Sequence, residues 1–213
     1  GASVVIENQP GAGGIVGLQA LARSAPDGHT LSVVSNNVVI FPSVYKSIPF
    51  DMPGDFTPIA VIGATPIVLV VNPNKVPAKD HKEFAALLKS KPDQFNYGSG
   101  GNGSSSHLAG ELFNVLAGVK TVHVPYKGTV LALNEVIAGQ LQFVMMNPVV
   151  VMSHVKPGRI KVIATTGAKR DPLLPDVPTV AEAGVPGYES GVWFGLAVPA
   201  ATPKEEIARL NDA

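Results

Sequence analysis

Asn96-Tyr97-Gly98-Ser99-Gly100-Gly101-Asn102-Gly103-Ser104-Ser105-Ser106-His107-Leu108 joins a short β-like run to a segment of helical period through glycines and serines. A strand that enters a helix through such a loop is the local mark of a βα unit, and it sets the fold class as α/β. The same alternation repeats on both sides of it. Toward the C-terminus, strands are predicted at Thr121 to Val124, Leu141 to Met146 and Ile160 to Thr165, and toward the N-terminus at Phe95 to Tyr97, Ile67 to Val71, Thr30 to Ser35 and Val4 to Ile6.

Helices fill the gaps. Ile15, Leu18 and Ala22 share one helical face ahead of the Pro26-Asp27-Gly28 stop. Asp80 with Glu83 three residues on reads as a capped start, with Phe84, Leu87 and Leu88 turned inward. A second helix runs through Leu108, Leu112, Val115 and Leu116 to Gly118, and a third carries Leu133, Val136 and Ile137. Thr179 with Glu182, and Thr202-Pro203 with Glu205, predict two further helix starts. The last helix is expected to continue past Ala213, because a chain stopping there leaves an apolar face without a covering element.

Of 213 residues, 46% are hydrophobic and 15% charged, enough to bury a core in one large domain or two lobes. Sixteen basic side chains balance sixteen acidic ones, and no run of Lys or Arg forms the footprint that nucleic acid or an anionic membrane needs. With no Cys, disulfides, thiolate metal sites and a cysteine nucleophile are excluded. The apolar runs Pro66 to Val71 and Val144 to Met152 are far short of the roughly 20 residues that span a bilayer, so no membrane insertion is expected. No charged n-region followed by an apolar h-region opens the sequence at Gly1, so a signal peptide is expected either to have been removed already or never to have existed.

The Gly98–His107 loop has the chemistry of anion capture. Glycines admit a ligand close to the backbone, Ser104 is placed to cap the helix, and first-turn amides favour a carboxylate or phosphate. Gly98, Gly100 and Gly103 also fit G-x-G-x-x-G, yet the region where a ribose-binding acid belongs reads Thr121-Val122-His123-Val124-Pro125. Three readings of the loop stay open: a carboxylate site, a nucleotide site and a plain structural turn.

Other features are weaker. His107 and Glu111 stand four apart on one helix face, a spacing open to a metal, but H-E-x-x-H is not matched, and a helix-start histidine satisfied by the protein is the simpler reading. No G-x-S-x-G elbow accompanies the serines. Neither a metal nor a cofactor is expected. Ser35-Asn36-Asn37 and Met145-Met146-Asn147-Pro148 follow strands, where open α/β sheets present ligand-contacting loops; for the methionines, core packing competes. Trp193 and Phe194 wall a pocket or staple a strand to the core.

Six collinear motifs then carry a resemblance. They are Glu7-Asn8-Gln9-Pro10-Gly11-Ala12-Gly13-Gly14, Ala25-Pro26-Asp27-Gly28-His29-Thr30-Leu31, Asn96 to Gly103, Ser106-His107-Leu108-Ala109-Gly110-Glu111-Leu112-Phe113, Val122-His123-Val124-Pro125-Tyr126-Lys127-Gly128, and Leu174 to Gly184. Together they resemble the receptors of tripartite tricarboxylate transporters, the Bug proteins. The resemblance implies a type II periplasmic-binding-protein-like fold, with two α/β lobes around a cleft joined by crossing strands. Lobe 1 would hold residues 1–65 plus 192–213 and lobe 2 residues 66–191.

It further implies a non-catalytic periplasmic receptor that binds a small carboxylate and delivers it to membrane permease subunits. The ligand-binding residues expected on that basis are Ser35, Asn36, Ser99, Asn102, Gly103, Ser104, Ser105, His107, Met146 and Asn147. The family's usual first strand and its Pro-Phe-x-Pro-Gly-Gly loop are absent from this sequence, as are its C-terminal helices. Family members usually carry an Asp aligned with Met146, suited to an ammonium group; its replacement here points to a carboxylate whose distal end is neutral or apolar rather than to an amino acid. The competing classes are an α/β enzyme holding a nucleotide or phosphate in the glycine loop, and a cytoplasmic sensor domain of the same fold.

Overall fold

A computed structural model gives the fold of residues 3–213; Gly1 and Ala2, which open the expected first lobe, lie outside the described residues. The chain divides into two units, Gly1–Gly63 with Phe194–Ala213, and Ala64–Trp193. It passes between them along two strands, β2 (Phe56–Pro66) and β8 (Gly191–Pro199).

The second unit carries the glycine loop. Its elements are β3 (Val68–Val71), α3 (His81–Ser90), β4 (Asn96–Ser99), α4 (Ser105–Ala117), β5 (Val122–Pro125), α5 (Thr129–Ala138), β6 (Phe143–Met146), α6 (Pro148–Val155) and β7 (Lys161–Thr165). The strands form one sheet in the order β5-β4-β6-β3-β7. β4 runs parallel to β5 and to β6, whereas β3 is antiparallel to both its neighbours. The C-terminal ends of β5, β4 and β6 therefore lie along one edge, and α5, α4 and α6 all begin there.

Local chemistry explains the pieces. β3 is four consecutive apolar residues with no exposure, and β6 is nearly the same; such unbroken runs belong to central strands covered on both faces. Asp80 caps α3 by accepting from the Glu83 N–H at 2.9 Å, as its position predicts. α4 and α5 each end on a glycine of positive φ, Gly118 and Gly139.

On α4 the buried face is Ser106, Ala109, Gly110, Phe113 and Ala117, while Val115 is 74% exposed. The large aliphatics that mark the helix in sequence do not mark its inner side; small residues do, because they let the helix close onto the sheet.

The first unit contains α1 (Ile15–Ala22), β1 (Ser32–Ser35), α2 (Asn37–Val44) and α7 (Lys204–Asn211), with a three-stranded sheet ordered β1-β8-β2. α1 buries Ile15, Leu18 and Leu21. α2 is not apparent in sequence because Pro42 sits inside it and reads as a break.

Three local expectations are corrected. Val4 to Ile6 form no strand: they are 81%, 88% and 83% exposed and pair with no strand among the described residues, and a strand persists only where a neighbour takes its ladder. The Thr179–Glu182 box forms reciprocally, at 3.0 Å in both directions, yet it caps only a turn, which Gly184 at φ 113° diverts before a helix can follow. α7 begins at Lys204, but the Thr202 hydroxyl makes no cap; it is buried and without a partner among the described residues.

Candidate functional site

The loop between β4 and α4 is held by a closed set of hydrogen bonds. Gly101 and Gly103 turn it with φ of 117° and 74°, conformations that side chains rarely adopt. Gly98 serves packing instead: a methyl group there would stand 2.6 Å from Ala132 Cβ on α5. Three of the loop amides find side-chain acceptors. The Gly100 N–H donates to Ser106 Oγ at 3.0 Å, the Gly101 N–H to Ser99 Oγ at 3.0 Å, and the Gly103 N–H to His107 Nδ1 at 3.1 Å.

Ser104 is the N-cap of α4, as its position predicts. Its Oγ accepts from the His107 N–H at 3.4 Å and donates to Gly101 O at 2.6 Å. A hydroxyl has one proton, so Ser104 as it stands has no second one for a ligand.

Beneath the loop lies a ladder of rings. Tyr97 on β4 faces His123 on β5 and Phe143 on β6 in register, with ring centroids 4.9 and 5.4 Å apart. His107 from α4 stacks on His123 at 4.0 Å. The Tyr97 hydroxyl donates to Glu111 Oε1 at 2.5 Å. Burial, reinforced by the neighbouring His107, pushes the His123 ring down to about 4, and burial lowers His107 as well. Burial and the Glu111 carboxylate raise the Tyr97 hydroxyl far above its usual range. This ladder escapes a sequence reading, because the rungs come from residues 97, 123 and 143; the one available signal is alternation within each strand.

The expected site residues separate clearly. Asn102, Gly103, Ser104, Ser105 and His107 all belong to the loop and first turn of α4, with Asn102 exposed and Ser104, Ser105 and His107 partly so. Ser99 is fully buried, its Oγ 2.6 Å from His123 Nε2, so it supports the loop from below instead of facing a ligand. Met146 is also corrected: at 3% exposure it packs with Val68, Val70, Ala132 and Val144 in the core.

Asn147 is the N-cap of α6, its Oδ1 accepting from the Val149 N–H at 2.9 Å, with Pro148 in the first turn. The Asn-Pro pair was a readable signal for that helix start. In the first unit, Ser35 Oγ donates to Asn37 Oδ1 at 2.7 Å and Asn36 precedes α2.

The His107–Glu111 spacing does not gather a metal site: His107 Nδ1 serves Gly103 and Glu111 serves Tyr97. No cluster of three or more ligating side chains occurs among the described residues. Nor is any helix among them long and apolar enough to cross a membrane. Trp193 lines an open depression with Thr65, Pro66, Lys169, Arg170 and Glu189.

Comparison with known proteins agrees with the fold. Residues 1–213 match the family profile described as TctC, tripartite tricarboxylate transporter family receptor. Protein BugT of Bordetella pertussis is 33% identical over 213 residues, covering 99% of this chain and 65% of BugT. Curated relatives from Pseudomonas and Bordetella are spanned over 63% to 66% of their own length.

Among solved structures, Rpa4515 of R. palustris with adipate superimposes with a TM-score of 0.94 at 33% identity, over 99% of this chain and 70% of that one. MatC of Rhodopseudomonas palustris with bound malate gives 0.87 at 35%, over 95% and 69%.

Proposed function

Because the chain belongs to the tripartite tricarboxylate transporter receptor family, we propose that it is the ligand-capturing part of an extracytoplasmic solute receptor. It takes up a small organic carboxylate, performs no chemistry on it, and passes it to permease subunits in the membrane. The observation that carries this reading is the single edge at which α4, a 13-residue helix, α5 and α6 all begin, with the β4–α4 loop leading into the first turn of α4. Three helix starts on one edge favour negative charge there.

The proposed contacts are the backbone and side chains of Asn102 and Ser105 in the second unit, with Asn147 at the neighbouring helix start, while Gly103, whose N–H is held by His107 Nδ1, shapes the loop. Ser35 and Asn36 are the contacts proposed in the first unit. Ser104 contributes by capping α4 and shaping the loop. The relatives solved with adipate and malate support a dicarboxylate as the ligand class.

Asn147, the residue of the Met145-Met146-Asn147 strand end that is not buried, carries no negative charge, so an ammonium group would lack a counter-charge from it. The ligand is accordingly a carboxylate without an amino group. Isothermal calorimetry with adipate, malate, glutamate and NAD decides the matter. Binding of a dicarboxylate with little or none of glutamate is expected; tight glutamate binding removes the ligand-class assignment, and NAD binding in place of carboxylates removes the receptor reading.

A further inference from the structure

We propose that the neutral imidazoles of His107 and His123 are positioning residues that hold the Ser99–Ser104 loop in its anion-receiving shape, so that acid unlocks the loop. The proposal deepens the carboxylate-receptor reading and rests on it for the purpose of the loop, though not for the lock itself.

The geometry fixes the charge state. His107 Nδ1 accepts the Gly103 N–H at 3.1 Å, which requires a lone pair on that nitrogen. A protonated imidazole carries N–H on both nitrogens and accepts nothing. Charging His107 therefore turns an accepted hydrogen bond into two donors facing each other, and Gly103, at φ 74°, loses what pins it.

His123 acts one step deeper. Its Nε2 is 2.6 Å from Ser99 Oγ, and that same oxygen accepts the Gly101 N–H. A proton on His123 is tolerated at that contact, since the hydroxyl can turn its own proton toward Gly101 O at 3.2 Å. What is not tolerated is a second charge, because the two rings lie 4.0 Å apart at 25°.

Two other titratable groups face the pair. Glu111 on α4 favours the charged form of both rings, and Tyr97 on β4 donates its hydroxyl proton to the Glu111 carboxylate. Burial outweighs Glu111, so both rings stay neutral near neutral pH and His107 takes the first proton on acidification. Ser106 Oγ, which holds the Gly100 N–H at 3.0 Å, does not titrate and marks the part of the loop that acid leaves in place.

The test follows imidazole and loop-amide NMR signals of the ligand-free protein from about pH 7.5 to about pH 4, in wild type and in His107→Asn, whose amide oxygen can take the Nδ1 position without titrating. In wild type the Gly103 amide is expected to shift with the His107 ring, with a midpoint below 6.5. Its protection factor should fall about tenfold. His107→Asn should keep that amide protected through the same range.

A wild-type Gly103 amide that stays unchanged while His107 titrates overturns the proposal, as does a His107 midpoint at or above its ordinary value. The wild-type titration decides alone if the variant does not fold. Malate and adipate titrations alongside separate the two readings: an acid-sensitive loop that binds neither anion keeps the lock and removes the carboxylate receptor.

Discussion

Gly110 of α4 lies close against the ring of Tyr97 on β4: a methyl group built on its α-carbon would reach Tyr97 Cζ at 2.7 Å, well inside van der Waals contact. The contact sets how near α4 sits to the sheet and hence where the β4–α4 loop lies. Gly110→Ala is therefore expected to destabilise the protein by about 1–3 kcal/mol despite alanine's better helix propensity, since the buried ring has no room to yield. Urea denaturation measures this directly. A stabilised variant would mean that the ring moves freely and that α4 is not held by this contact.

That contact also shows where sequence reading stops. The βα alternation after Pro66 was legible because each strand is a short apolar run and each helix has its own period, cap or stop, as with Asp80 and Gly118. Which side of α4 faces inward was not, since Gly110 and Ala109 are inner residues for their smallness while Val115 lies outside. The ring ladder of Tyr97, His123 and Phe143 depends on register between strands distant in sequence. At the site, the glycine- and serine-rich loop between strand and helix and its Ser104 cap were legible from residue order. The burial of Ser99 and Met146 was not, because a residue at a strand's end points to ligand or core according to which face is covered.

Thr166, fully buried, fastens the entry to β3. Its Oγ1 accepts the Ile67 N–H at 2.9 Å and donates to Ser190 O at 2.7 Å. Thr166→Val preserves shape but leaves the Ile67 N–H unpaired in the interior, a loss of about 1–3 kcal/mol. Thermal unfolding should show it, and Thr166→Ser should recover most of the stability by restoring the hydroxyl. A serine variant as unstable as valine would indicate that the methyl group, not the hydrogen bond, matters.

Stability should fall in mild acid. The unfolded His123 ring binds a proton near 6.5 and the folded one only near about 4, so between those values the unfolded state holds more protons. The resulting loss begins as pH drops below 6.5 and levels off below about 4. Taken whole, the shift corresponds to about 3 kcal/mol, and partial exposure of the ring reduces that to about 1–2 kcal/mol. His81 and His107 are lowered too and add in the same direction. His123→Gln should flatten the pH dependence between 6.5 and 4 without abolishing it, as read from urea midpoints; an unchanged slope would place the acid sensitivity elsewhere.

Asn147 separates capping from ligand contact. Its Oδ1 takes the Val149 N–H at 2.9 Å, so Asn147→Ala should cost about 1 kcal/mol of stability through the open end of α6. Asn147→Asp keeps the acceptor and adds a negative charge at a helix N-terminus, where it is tolerated or mildly favourable, so the fold should lose nothing. The same charge stands at the edge where the carboxylate is proposed to bind, and repulsion there should weaken dicarboxylate affinity about tenfold, or about 1.4 kcal/mol. Calorimetry of this variant against adipate and malate, paired with its unfolding curve, gives the two effects separately. Full affinity in a protein of unchanged stability would move the ligand away from the α6 start and leave Asn147 a helix cap alone.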